Sequence, residues 1–125
     1  EVADFWAVVC GSAPVMLEAG DHDRMLAWTS HLAQIVASGL AAALARSGPK
    51  AVSYGPGARD TTRLAGSSPE MWRDILLLNR EPVLAALDGL EDQFGELRRA
   101  LAGGDARALT AWLKAGREWR RRVET

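Results

Sequence analysis

The longest helical pattern, roughly His22 to Arg46, constrains this chain more than any other feature. Met25, Leu26, Trp28, Leu32, Ile35, Val36, Leu40, Ala43 and Leu44 recur there at helical spacing, behind an Asp21 that reads as the N-cap. In the second half, Ala33, Ala37, Ser38, Gly39 and Ala41 to Ala43 leave little side chain. A helix apolar nearly all round has to be covered on several faces. The chain has 125 residues, about one domain, and is short of material for that cover. A subunit partner is the economical source.

The other segments are also helical. Val2, Phe5, Trp6 and Val9 fall at i, i+3, i+4 and i+7, a short amphipathic helix that Gly11 ends. Pro14 to Leu17 is a brief apolar run and the one strand candidate. Ser47-Gly48-Pro49 stops the long helix, and Lys50 to Gly57 reads as irregular. Ala58 to Ala65 reads as a short helix. Ser67 with Glu70 three residues later forms a capping box for the next helix, which carries Met71, Trp72, Ile75, Leu76 and Leu77. Pro82 opens a further helix or kinks this one, and a stripe of Val83, Leu84, Leu87, Leu90, Phe94, Leu97 and Leu101 runs up to Gly103-Gly104. Asp105 caps the last helix, with Trp112 and Leu113 on its apolar side. There is no internal repeat. The expected fold class is all-α, with residues 1–125 as a single domain.

Several function classes drop out. The single cysteine, Cys10, excludes an internal disulfide framework and a cysteine-based zinc site. No apolar run approaches the roughly 18 residues of a membrane span. A formal net charge of −1 argues against a nucleic-acid binder. The eight Lys/Arg against three Asp/Glu from Arg98 onward read as a solvated, dipole-favoured helix end. His22 and His31 are nine residues apart, about 180° around a helix, so they cannot chelate one metal ion. The phosphate-binding P-loop and the GxGxxG fingerprint are both missing. Of the five tryptophans, Trp6, Trp28 and Trp112 sit on apolar stripes as core residues, whereas Trp72 lies near Arg59, Asp60 and Arg63. In Gly55-Pro56-Gly57-Ala58-Arg59-Asp60-Thr61-Thr62-Arg63, the two arginines are i, i+4 and Asp60 is i, i+3 to Arg63. A guanidinium held by a carboxylate makes a fixed clamp for a small carboxylate ligand, and a surface salt-bridge cluster has the same pattern.

Asp21-His22-Asp23-Arg24 followed by Trp28-Thr29-Ser30-His31-Leu32 resembles the HDR…SHLPH stretch of the prephenate and arogenate dehydrogenases. Gly55 to Ala65 resembles their GxGFRDxTR element, Ser68 to Ile75 their SDPxMWRDI element, and Asn79-Arg80 their helix exit. The three elements keep the family's order and spacing over roughly residues 1 to 100.

The resemblance implies a two-domain, cytoplasmic enzyme of tyrosine biosynthesis that oxidises and decarboxylates prephenate or arogenate, passing hydride to NAD or NADP. This chain then corresponds to the second half, an all-helical dimerisation domain like the C-terminal domain of 6-phosphogluconate dehydrogenase. The Rossmann domain is absent from it, and its opening on Glu1 points to sequence upstream. The implied partners are a second copy of the chain, the N-terminal dinucleotide-binding domain, and prephenate or arogenate. No nucleic acid and no membrane are implied. Carried over residue by residue, Arg63 binds a substrate carboxylate, Asp60 orients Arg63, and Trp72 walls the pocket. Ser30, His31 and Gln34 line the cleft-facing helix. The family's catalytic histidine belongs to the missing domain, so this chain holds no catalytic, cofactor-binding or metal residue and is inactive alone. Two departures stand out. Ala33 and Gln34 replace the Pro and second His of SHLPH, leaving a hydrogen-bonding group that does not titrate near neutral pH. Ala58 replaces the aromatic of GxGF and removes one apolar wall. The competing expectations are a free-standing helical dimeric interaction module, and the helical domain of another dehydrogenase whose clamp holds a different acid.

Overall fold

A computed structural model describes residues 2–11, 13–48 and 54–124, leaving aside the side chains of Trp6 and Ser47. All regular structure among them is helical. Helix α1 runs Val2–Cys10, α2 Ala19–Leu26 and α3 Leu32–Ser47, with a π-helical turn, Ala27–His31, joining α2 to α3. Then come α4 (Pro56–Thr62), a 3₁₀ turn (Arg63–Gly66), α5 (Pro69–Leu78), α6 (Arg80–Ala102) and α7 (Ala106–Val123). The chain divides into two compact units, Glu1–Val83 and Leu84–Thr125. Pro14 to Leu17, the strand candidate, has no regular structure. No helix among the described residues is long and apolar enough to cross a membrane.

In the first unit, α3 packs against α4 and the 3₁₀ turn, and α4 packs against that turn in its own right. Three local expectations are corrected. The long helix starts at Ala19 rather than behind Asp21. Glu18 holds the N-cap position, and its carbonyl accepts from His22 N–H at 2.9 Å. Asp21 lies inside the first turn and pairs with Arg24. At α5 the cap is Ser68, not Ser67: its Oγ accepts from Met71 N–H at 3.3 Å and bonds to Glu70 Oε2. Pro69 decides this. A proline suits the first helical position, where its missing N–H is not needed, and it holds the residue before it out of the helical region. Finally, Trp28 is not core. It is 54% exposed, because the π-turn brings Ala27 and His31 inward and turns Trp28 out. Of the other tryptophans, the side chain of Trp6 lies outside the described residues.

Gly48 closes α3 by donating to the Leu44 carbonyl at 2.8 Å, and a Cβ there would collide with that oxygen, which favours glycine. Pro82 lies in the first turn of α6, a new helix that starts at Arg80.

In the second unit, α6 ends in a Schellman motif. Asp105 N–H donates to the Ala100 carbonyl at 2.9 Å and Gly104 N–H to the Leu101 carbonyl at 3.2 Å, with Gly104 at φ 62°. The same Asp105 opens α7, its Oδ1 accepting from Ala108 N–H at 2.9 Å, as expected from the sequence. Trp112 Nε1–H donates to the Gln93 carbonyl at 3.1 Å and pins α7 to α6.

Asp105→Ala removes the α7 cap and lowers stability by about 1 kcal/mol in chemical denaturation, whereas Asp105→Ser retains most of it. Equal midpoints for wild type and Asp105→Ala would show that the cap contributes nothing.

Candidate functional site

The site grows out of the π-turn. Leu32 N–H donates to the Ala27 carbonyl, five residues back instead of four, which inserts one extra residue into the helical turn. Turns of this kind recur at functional sites because they re-aim side chains without breaking the helix. Here the turn places Ala27 and His31 inward, and three residues later the first turn of α3 brings in Gln34. His31 and Gln34 are the buried polar side chains among the described residues, 7% and 5% exposed.

Each has identified partners. The His31 ring meets Trp72 of α5 edge-on, with centroids 5.9 Å apart and planes at 82°, a favourable aromatic geometry. His31 Nδ1 lies 3.2 Å from Asn79 Nδ2, and the same amide nitrogen donates to the Asp23 carbonyl at 2.9 Å. Gln34 Nε2 donates to the Leu64 carbonyl at 2.9 Å and to Ser38 Oγ at 3.1 Å. A carbonyl only accepts, so the Leu64 bond fixes which end of the Gln34 amide faces it. Gln34 Oε1 is thereby turned elsewhere, buried and without a protein donor. An orphaned buried acceptor is costly, and such groups in native structures await a water or a ligand donor.

The sequence-derived site residues fall into two groups. His31, Gln34 and Trp72 come from α2–α3 and α5 and are gathered at the inner face, with Ser30 half-buried beside His31. Arg63 and Asp60 lie on the exposed side of the 3₁₀ turn and α4. Arg63 directly precedes Leu64, the residue that Gln34 holds. The expected Asp60–Arg63 ion pair is not formed: neither residue has an ion-pair partner among the described residues, which leaves the Arg63 guanidinium open to an anion. Arg59 instead lines a cleft of about 400 Å³ with Ala41, Leu44, Tyr54, Ala58 and Thr62. The described residues contain no cluster able to hold a metal. The Gly55-Pro56-Gly57 turn opens α4, a helix of seven residues.

Two elements were missed in the sequence. Asn79 had a signal, an asparagine at the end of a helix, which reads as a C-cap and says nothing of its side chain's reach to residues 23 and 31. The π-turn had none, since residues 27–31 carry an ordinary helical pattern.

The family model for the prephenate dehydrogenase dimerization domain matches residues 18–115, a span that holds the π-turn, the Arg63 turn, Trp72 and Asn79. The chain belongs to this family. Among curated relatives, the cyclohexadienyl dehydrogenase of Zymomonas mobilis is 33% identical over 129 residues, covering 99% of this chain and 44% of its own length. The prephenate dehydrogenase of Bacillus subtilis is 33% identical over 110 residues, covering 85% and 30%. The prephenate dehydrogenase of A. aeolicus, solved with hydroxyphenyl propionate and NAD+, superposes with a TM-score of 0.77 at 32% identity, covering 86% of this chain and 39% of that one. Synechocystis arogenate dehydrogenase shares the fold, with a TM-score of 0.82 at 24% identity over 98% and 47%. The chain thus spans less than half the length of these relatives.

The amide at position 34 makes a direct prediction about stability. Gln34→Met loses the bond to Leu64 but also removes the orphaned oxygen, and stays within about 1 kcal/mol of wild type. Gln34→Glu sets an unpaired carboxylate against the Leu64 carbonyl and costs about 3 kcal/mol or more at neutral pH. Urea titrations separate the two, and equal losses would contradict the buried-amide geometry.

Proposed function

We propose that residues 1–125 form one functional domain of a cytoplasmic prephenate or arogenate dehydrogenase of tyrosine biosynthesis, supplying the dimer interface and the contacts to substrate carboxylate. The family match over residues 18–115 carries this reading. The relatives are dehydrogenases more than twice the length of the chain. The NAD or NADP site and the catalytic histidine therefore fall to a dinucleotide-binding domain of the same polypeptide. The whole enzyme removes hydride and CO₂ from the substrate ring, and aromatisation drives the step. This chain's residues bind and orient the substrate for it.

In that role Arg63 pairs with a carboxylate through a charge-assisted hydrogen bond, favoured by its exposed, unpaired guanidinium. Asp60, one helical turn away, sets the local charge that orients it. Trp72 walls the substrate pocket, and Ser30, His31 and Gln34 offer polar groups from the helix facing it. Assembly as a homodimer is supported by large apolar side chains left in the open: Val2 (75% exposed), Val8 (84%) and Met16 (86%) near the start of the chain, and Leu78 (89%) at the end of α5. These open side chains are apolar area that a second copy would cover.

In the full-length enzyme, Arg63→Ala raises the substrate KM roughly ten- to a hundredfold, the worth of one charged hydrogen bond at about 1.5–3 kcal/mol. An unchanged KM and kcat would remove Arg63 from the site. The isolated chain sediments as a dimer and reduces no NAD+ when given prephenate or arogenate. A monomer at micromolar concentration would count against the interface role.

A further inference from the structure

We infer that Asn79 is a positioning residue that locks His31 as the Nε2–H tautomer, so that this imidazole faces the substrate as a fixed hydrogen-bond donor. The inference rests on the proposed substrate role of His31 and adds a residue that the sequence reading left out.

Asn79 Nδ2 lies 2.9 Å from the Asp23 carbonyl, which can only accept, so the nitrogen end of the amide is the one turned towards residues 23 and 31. An amide nitrogen carries two hydrogens and no available lone pair. With one hydrogen on Asp23, the other is directed at His31 Nδ1, 3.2 Å away. Nδ1 must then offer its lone pair, and a neutral imidazole with a lone pair on Nδ1 carries its proton on Nε2. The ring has little freedom to escape this arrangement, being 7% exposed and held edge-on by Trp72.

Asn79 is itself anchored at both ends of its backbone. Its N–H closes α5 on the Ile75 carbonyl at 3.1 Å, and its carbonyl receives Val83 N–H at 3.0 Å in the first turn of α6. The residue that ends one helix and starts the next therefore also reaches 56 positions back to α2 and 48 back to the π-turn. Fixing the tautomer before the ligand arrives leaves nothing to reorganise on binding, and a donor at Nε2 suits the carboxylate and carbonyl oxygens of an acidic substrate.

The chain has two histidines, and His22 is exposed, so ¹⁵N-resolved NMR of the imidazoles assigns His31 with a single His22→Asn control. The expected spectrum has a pyridine-type nitrogen at His31 Nδ1 and a pyrrole-type nitrogen at Nε2. Asn79→Asp is the matching variant: it is nearly isosteric, but a carboxylate only accepts, so it draws the proton to Nδ1 and reverses the pattern. A protonated Nδ1 in the wild-type neutral ring overturns the inference without recourse to any variant. So does an Asn79→Asp protein with the wild-type pattern. In the full-length dehydrogenase, Asn79→Asp raises the substrate KM at least tenfold. A reversed tautomer with unchanged KM would leave the lock standing and strike out His31 as a substrate contact, so the two claims fail separately.

Discussion

Everything at the candidate site depends on one hydrogen bond that is a residue too long, from Leu32 N–H to the Ala27 carbonyl. A regular α-helix from Ala19 to Ser47 would advance its apolar stripe by about 100° per residue without interruption. The extra residue shifts the phase between α2 and α3, and His31 and Gln34 come to lie on the inner face among alanines and Leu32. The cost of burying them is met locally, by Asn79 for the one and by the Leu64 carbonyl for the other. The second is met only in part, since one amide oxygen keeps its lone pairs for something outside the protein chain.

The two polar clusters are joined through the short 3₁₀ turn that carries both Arg63 and Leu64. Gln34 grips the carbonyl of residue 64, so the backbone next to Arg63 is held by a buried bond. This differs from the clamp expected from the Arg-Asp-x-x-Arg spacing, where Asp60 was to hold Arg63. The spacing does put the two on adjacent helical positions, but α4 gives way to the tighter turn at Arg63 and both side chains point into solvent. A pattern of charges on a helix identifies neighbours, and the pairing between them depends on the turn that follows.

The fold was legible in the sequence wherever one residue type has one strong local preference. Gly11, Gly48, Gly104 and Asp105 end or begin helices as read. Ser67 and Ser68 both suit a cap at the start of α5, and the choice between them belongs to Pro69. Periodicity puts Trp28 in the core because it assumes an unbroken 3.6-residue repeat, which the π-turn violates. His31, Gln34 and Trp72 were legible through family resemblance, not through any spacing rule. Asn79 enters the resemblance only as a helix exit, since its partners lie 48 and 56 positions away.

Among the described residues, four of the six buried hydrophobic side chains are alanines: Ala27, Ala37, Ala86 and Ala100. A methyl group removes little surface from water, so a protomer built this way draws limited stability from its own interior. In the proposed dimer, exposed side chains such as Met16 and Leu78 would add the burial that the alanines do not supply. Folding and association are then one equilibrium, and its position depends on how much protein is present. For such a chain, dilution is itself a denaturant.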